Sequence, residues 1–307
     1  MPDRPIGMFD SGFGGLTVAR ATIDLLPAED LVYIGDTGRY PYGNRDLDEV
    51  RQFAMEIGTD LVEVHDVKLV VVACNTATAA ALDDLSAALP VPVVGVIDPG
   101  VIAVGQASRS GRLGVIGTVG TIGSGAYEEA VARLAPDADV VTCACPGLVE
   151  FVERGVVSGP EIEILVRRLL APLLDQDIDA LLLGCTHYPY LGRVIGDVVG
   201  RDVVLVSSAD ETAFALARQL RSLGLEHTDP TRPGRQRFIT SGDIRAFTEL
   251  GSRLLGPELI DAEHWLPGTE SPTDDGADAD GEGVSGGAEP RSGQPDGQTG
   301  EHAPAVG

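Results

Sequence analysis

Val70-Val71-Val72-Ala73-Cys74-Asn75-Thr76 and Leu181-Leu182-Leu183-Gly184-Cys185-Thr186-His187 are two versions of one pattern. Each is a short apolar run that ends in a cysteine followed by polar, helix-capping residues. A continuous apolar run of this length suits a strand buried on both faces, as in a parallel sheet. The surroundings repeat as well. Upstream, Ile6-Gly7-Met8-Phe9-Asp10 resembles Leu113-Gly114-Val115-Ile116-Gly117-Thr118. Downstream, Pro92-Val93-Val94-Gly95-Val96-Ile97-Asp98 resembles Val203-Val204-Leu205-Val206-Ser207-Ser208. Gly7 precedes Cys74 by 67 residues and Gly114 precedes Cys185 by 71; Asp98 follows Cys74 by 24 and Ser208 follows Cys185 by 23. Three elements in one order at like spacing predict two similar α/β units, each placing one cysteine at the end of a strand.

The rest of the chain fits that frame. Apolar runs predict strands at 5–9, 31–35, 69–73, 92–96, 112–117, 140–143, 180–183 and 203–206. Stretches with a 3.6-residue period predict helices at 16–26, 47–64, 77–89, 162–174 and 212–223, with Pro, Gly and Asp at the joints. Alternating strands and helices give parallel α/β layers, with ligands expected at the carboxyl ends of the strands. The expected fold is therefore α/β: two pseudo-symmetric parallel-sheet domains with the active site in the cleft between them. The first domain is discontinuous, 1–97 with 208–267; the second is 98–207. Residues 268–307 hold nine acidic residues and one Arg among Gly, Pro, Ser and Thr. That composition cannot bury enough apolar surface to offset its ordering entropy, so a disordered acidic tail is expected.

Composition excludes several classes of function. The 307 residues carry 47 acidic and 22 basic side chains, a net charge of −25. Nucleic-acid surfaces need clustered Lys and Arg, so direct nucleic-acid binding is not expected. An anionic substrate would have to be held by local dipoles. The N-terminus lacks a basic segment followed by an apolar run, and no run is long enough to span a membrane. Four cysteines in a chain of this length do not make a disulfide framework, so reduced thiols and a cytoplasmic protein are expected.

A thiol at a helix N-terminus lies near the positive end of the helix dipole, which lowers its pKa and makes it a usable acid or base. Both Cys74 and Cys185 precede predicted helices, at 77 and 188 onward. Asn75, Thr76 and Thr186 add capping side chains, and free N–H groups there can cradle a carboxylate. One such cysteine alone reads as a small core residue. Two at matching points of a repeat read as a pair. Cys143 and Cys145 stay core residues, because their spacing lacks the C-x-x-C or paired-His pattern of a metal site. Racemisation needs this kind of pair: one group removes the α-proton while its opposite returns a proton to the other face. A pyridoxal-phosphate route would need a Schiff-base lysine. The chain's single lysine, Lys68, stands before the strand rather than at its carboxyl end. No cofactor is therefore expected.

Asp10-Ser11-Gly12-Phe13-Gly14-Gly15-Leu16, Tyr33-Ile34-Gly35-Asp36, Pro41-Tyr42-Gly43, Ala73-Cys74-Asn75-Thr76, Gly114-Val115-Ile116-Gly117-Thr118 and Gly184-Cys185-Thr186-His187-Tyr188-Pro189 together resemble glutamate racemase, of the two-cysteine aspartate/glutamate racemase superfamily. The likeness runs from about residue 5 to residue 255. It implies Cys74 and Cys185 as proton donor and acceptor, Asp10 beside the first thiol and the substrate ammonium, and His187 assisting the second thiol. It implies Ser11, Tyr42, Gly43, Asn75, Thr76 and Thr186 as substrate-holding positions, with Thr118 and Thr121 toward the side-chain carboxylate. It also implies a homodimeric bacterial enzyme that supplies D-glutamate for peptidoglycan. Plainer readings exist for some of these residues. Asp10 caps a helix, His187 is a first-turn residue bonded to backbone, Tyr42 packs its loop, and Asp10–Gly15 is a tight turn without dinucleotide spacing. Rival functions are a sister racemase acting on aspartate or hydantoins, a decarboxylase, a non-catalytic binding protein, and a regulatory protein whose tail contacts DNA gyrase.

Overall fold

The computed structural model describes residues 1–266. The tail expected over 268–307 lies outside the described residues. Six parallel strands form one sheet: β1 (Ile6–Asp10), β2 (Leu31–Gly35), β3 (Leu69–Val72), β4 (Val93–Gly95) and, from the end of the described chain, β9 (Gln236–Thr240) and β10 (Glu263–His264). Their order is β10-β9-β2-β1-β3-β4. Four more form a second parallel sheet: β5 (Arg112–Gly117), β6 (Asp139–Ala144), β7 (Ala180–Leu183) and β8 (Val204–Ser207), in the order β6-β5-β7-β8.

The repeat read in the sequence is a repeat of topology. In the first sheet β1 lies between β2 and β3, and β4 flanks β3. In the second, β5 lies between β6 and β7, and β8 flanks β7. The registers agree too. Gly7 lies opposite Val70, four residues before Cys74, and Gly114 lies opposite Leu181, four residues before Cys185. Both glycines are there for the same steric reason. A Cβ on Gly7 would meet the Val67 side chain at 3.0 Å, and one on Gly114 would meet Ile178 at 2.7 Å. The third pair of elements needs a one-residue correction. Val70 pairs with Val93, whereas Leu181 pairs with Leu205, so Leu205 rather than Val204 is the counterpart of Val93.

The helices in chain order are α1 (Leu16–Leu25), α2 (Leu47–Glu63), α3 (Asn75–Ala88), α4 (Ile97–Ala107), α5 (Val119–Gly123), α6 (Ala126–Leu134), α7 (Leu148–Glu153), α8 (Pro160–Leu174), α9 (Gly192–Val199), α10 (Ser208–Leu223) and α11 (Ile244–Leu255). Two predicted starts move upstream. α3 begins at Asn75, directly after Cys74, and α10 begins at Ser208, where the Ser207 hydroxyl accepts from the Ala209 N–H. A third expectation fails. The residues after Cys185 form only a 3-10 turn, Tyr188–Leu191, before α9.

Each sheet is buried on both faces, which is why its strands read as unbroken apolar runs. Ile6, Met8, Leu69 and Val71 face α1, α10 and α11, while Phe9, Val70 and Val72 face α2 and α3. Ile116, Leu181 and Leu183 face α7, α8 and α9, while Leu113, Val115 and Leu182 face α4 and α6. Full burial of each such side chain is worth about 1.5–3 kcal/mol. Among the described residues no helix is long and apolar enough to cross a membrane.

Lys68 is buried at the start of β3, at the far end from Cys74. Its ammonium pairs with Glu29 and donates to the Pro2 carbonyl at 2.5 Å. This is a structural clamp on the N-terminal segment.

Candidate active site

Asp10 ends β1, and the chain turns from it into α1 through Ser11–Gly15. One carboxylate oxygen, Oδ2, accepts from the N–H of Gly12 at 3.1 Å and of Gly15 at 3.0 Å. This tightens the loop and leaves Oδ1 buried with no partner. Asp10 thus does the capping work and still offers an acceptor. The glycines let the loop approach the second cysteine's loop. A Cβ on Gly14 would lie 2.3 Å from His187 Nδ1 and 2.6 Å from Thr186 Oγ1.

Cys74 follows β3 and is the N-cap of α3. Its sulfur accepts from the Ala77 N–H at 3.5 Å and donates to Ser11 Oγ at 3.7 Å. The expected placement at a helix N-terminus holds, but the expected fall in pKa does not. Burial pushes the Cys74 thiol up, and the nearby Asp10 carboxylate pushes it further, outweighing the hydrogen bonds it shares with Ala77 and Ser11. Desolvation of a thiolate at 5% exposure exceeds what one helix end returns.

Cys185 follows β7 and is equally buried. Pro189 has no N–H, and the chain makes only the 3-10 turn there, so no α-helix dipole points at this sulfur. Its partner is His187, whose Nδ1 lies 3.8 Å away. The other ring nitrogen, Nε2, lies 2.7 Å from Glu153 Oε1. Burial opposes a charge on His187, but the hydrogen bonds to Cys185 and Glu153 outweigh it and raise its pKa well above the ordinary value. Equivalent positions in the two sheets therefore carry different chemistry: Cys74 beside a carboxylate, Cys185 beside an imidazole held by a carboxylate.

Both sulfurs line one cleft, partly open to solvent. Asp10, Ser11, Tyr42, Gly43, Thr76, Thr118, Thr186 and His187 line it with them. Among the described residues no Lys or Arg does, so an anion there would meet hydroxyls, N–H groups and the His187 ring. Thr76, Thr118 and Thr121 form a closed trio, with oxygens 3.1, 3.0 and 2.9 Å apart. Thr118 also caps α5. Thr121 stands behind the other two, outside the lining. Gly43 brings the 41–44 loop against the trio, where a Cβ would lie 2.6 Å from that of Thr118. Tyr42 is held from behind by Asp36, which also accepts from Arg39 at 2.7 Å and Ser241 at 2.5 Å. Asn75 is buried but does not line the cleft. Its amide donates to Tyr127 at 2.7 Å, linking α3 to α6.

The segment after β6 supplies residues that the motifs did not reveal: Cys145, Pro146, Gly147, Val149 and Glu150 in the cleft wall, and Glu153 behind His187. Cys145, expected to be plain core, is both buried core and cleft lining.

Two buried thiols, each at the end of a strand of its own parallel sheet, line one cleft, and sequence comparison gives the family. Residues 16–216 match the family described as Asp/Glu/Hydantoin racemase, and the chain belongs to that family. Within it the chain stands with the glutamate racemases, which are isomerases. It is 52% identical over 259 residues to the glutamate racemase of Parafrankia sp. (strain EAN1pec), covering 84% of this chain and 93% of that one. Its fold is similar to that of glutamate racemase isoform RacE1 from Bacillus anthracis, with a TM-score of 0.81 at 41% identity over 86% of this chain and 97% of that one. It is similar also to the Francisella tularensis glutamate racemase solved in complex with D-glutamate, with a TM-score of 0.78 at 34% identity over 86% of this chain and 97% of that one.

Proposed function

We propose that the protein interconverts L- and D-glutamate without a cofactor, by two-base proton transfer at the α-carbon between Cys74 and Cys185. The observation that carries this reading is the placement of the two thiols. They stand at equivalent points of the two sheets, buried, on one cleft. One thiol must be protonated while the other is a base, and the roles exchange with the direction of reaction. Cys74, raised by burial and by Asp10, rests as the thiol and so as the acid. Cys185 has a proton partner at hand in His187.

The bound substrate sits between the two halves, which the reading divides as domains 1–97 with 208–267 and 98–207. The unpartnered Oδ1 of Asp10 receives the substrate ammonium. Ser11, Thr76, Thr118 and Thr186, with Gly43, hold the carboxylates through hydroxyls and N–H groups, and Tyr42 and Asn75 fix their positions. Such donors are set in place before the carbanion forms, so they stabilise it without reorganisation cost. Glutamate as the substrate rests on the similarity to glutamate racemases. The same similarity supports a cytoplasmic homodimer that supplies D-glutamate to peptidoglycan.

The test is direct. Purified protein without added cofactor is given L-glutamate, L-aspartate or a chiral hydantoin, and optical rotation is followed. Rotation lost with glutamate alone is the expected result. Loss with aspartate or a hydantoin alone would move the protein to a sister activity, and no loss with any would refute the racemase reading.

A further inference from the structure

Cys143 and Cys145 take no part in the proton transfer just described, yet they are placed for chemistry of their own. Cys143 is in β6, an edge strand of the second sheet, and is half-buried; Cys145 follows the strand's last residue and is 1% exposed. Residues two apart on a strand share a face, with Cα atoms about 6.5 Å apart, within disulfide reach. Both side chains pack on the same core cluster; Cys145 Sγ lies 3.8 Å from the Cys143 carbonyl oxygen, and Cys143 Sγ lies 3.3 Å from that of Leu169. Cys145 connects this pair to the site. It lines the cleft with Cys185, its carbonyl accepts from Tyr188 at 3.1 Å, and α7 with Glu150 and Glu153 starts three residues on.

We propose that Cys143 and Cys145 form a peroxide-oxidised, reversible disulfide that distorts the cleft wall and slows the enzyme. Its effect on turnover rests on the racemase reading; the formation of the bridge does not. The Cys143 thiolate attacks a peroxide oxygen: the S–O bond forms, the O–O bond breaks, and hydroxide leaves. Sulfur is oxidised to a sulfenic acid and peroxide oxygen is reduced. The Cys145 sulfur then loses its proton and displaces hydroxide from that sulfenic sulfur. The S–S bond forms, the S–O bond breaks, and the proton leaves with hydroxide as water. The neighbouring Cys145 side chain lowers the Cys143 pKa to about 7, against the cost of burial, whereas the neighbouring Cys143 side chain and burial push Cys145 up. The half-exposed thiol is therefore the attacking group and the buried one resolves it. A bridge across two residues is strained and readily reduced, which makes it reversible.

The experiment treats the full chain with hydrogen peroxide near neutral pH, then alkylates and digests with trypsin. Peptide 134–154 carries both thiols, and Cys185 lies in a different peptide, 169–193. The expected result is a peptide 134–154 lighter by two hydrogens and without alkyl label. Racemisation should fall in step with this and return with a thiol reductant. Cys143→Ser should keep untreated activity and be inactivated at least about fivefold more slowly. Inactivation with both thiols of 134–154 still free, a Cys145–Cys185 crosslink, or Cys143→Ser inactivated at the parent rate would overturn the proposal. A bridge that forms while racemisation is unchanged would overturn its link to the site. Absence of racemisation before any peroxide is added would instead count against the proposed function.

Discussion

Glu153→Gln isolates the role of the pair behind Cys185. Glu153 is outside the cleft lining and touches His187 alone among the proposed acid–base groups, through Oε1 at 2.7 Å from Nε2. The amide keeps a hydrogen bond of similar shape and removes the charge. A charge-assisted bond is worth about 1.5–3 kcal/mol and a neutral one about 0.5–1.5, so the variant loses about 1–1.5 kcal/mol of preference for the protonated ring. That is about one unit in the His187 pKa and about five- to tenfold in a rate that depends on it. The sign follows from linkage. His187 binds its proton more tightly folded than unfolded, so its stabilisation is complete below the ordinary histidine pKa of about 6.5 and is lost as pH rises through the raised value. In Glu153→Gln that loss moves to lower pH. The assay is kcat/KM in both directions by circular dichroism across pH, with urea midpoints at the same pH values. The expected result is a five- to tenfold fall at neutral pH with the alkaline limb of the profile shifted down by about one unit. A fall of that size with an unshifted profile would show that Glu153 only supports the fold, and the assignment of His187 as an orientated acid–base partner would be wrong.

Other consequences are simpler to read. Gly14→Ala puts a methyl group 2.3 Å from His187 Nδ1. Activity should fall about 100-fold or more, because displacement by about 1 Å is enough for that, while the circular dichroism spectrum stays that of the parent. Gly7→Ala and Gly114→Ala meet Val67 and Ile178 at 3.0 and 2.7 Å, far from the cleft. Each should lower unfolding free energy by about 1–3 kcal/mol in urea, with kcat/KM of the folded enzyme unchanged. Thr118→Val breaks two hydroxyl contacts of the trio and a cap. KM should rise by about tenfold with a smaller change in kcat, as measured by initial rates.

The paired apolar runs were enough to place both cysteines, because a strand buried on both faces cannot disguise its composition. The elements the sequence hid are those whose composition is ambiguous. α4 opens Ile97-Asp98-Pro99-Gly100, which reads as a turn, yet proline fits a first helical turn where its missing N–H goes unused. β9 opens Gln236-Arg237, polar because only the two-residue β10 lies beyond it in the sheet. Asp10, the two thiols and His187 come from motifs at strand ends, which is why the sequence could point to them, the two thiols through the repeat and the other two through the family resemblance, and all four line the cleft. Glu153 was not: Leu148–Glu153 looks like any short amphipathic helix, and its partner is 34 residues away. The helix-dipole argument placed Cys74 at a cap but gave the wrong sign for its pKa, since sequence shows the dipole and not the depth of burial. It failed outright at Cys185, where the chain bearing Pro189 makes only one 3-10 turn.

The central claim is that two thiols serve opposite faces of one carbon, and isotope entry during the first few percent of conversion tests it most directly. L-glutamate is incubated in D₂O, the enantiomers are separated, and Cα deuterium is measured in each. Two monoprotic bases predict deuterium in essentially every D-glutamate molecule and almost none in the remaining L-glutamate, with Cys74→Ser and Cys185→Ser each stopping interconversion. Substrate-derived hydrogen retained in the product would mean that a single base carries the proton across, and would contradict the account.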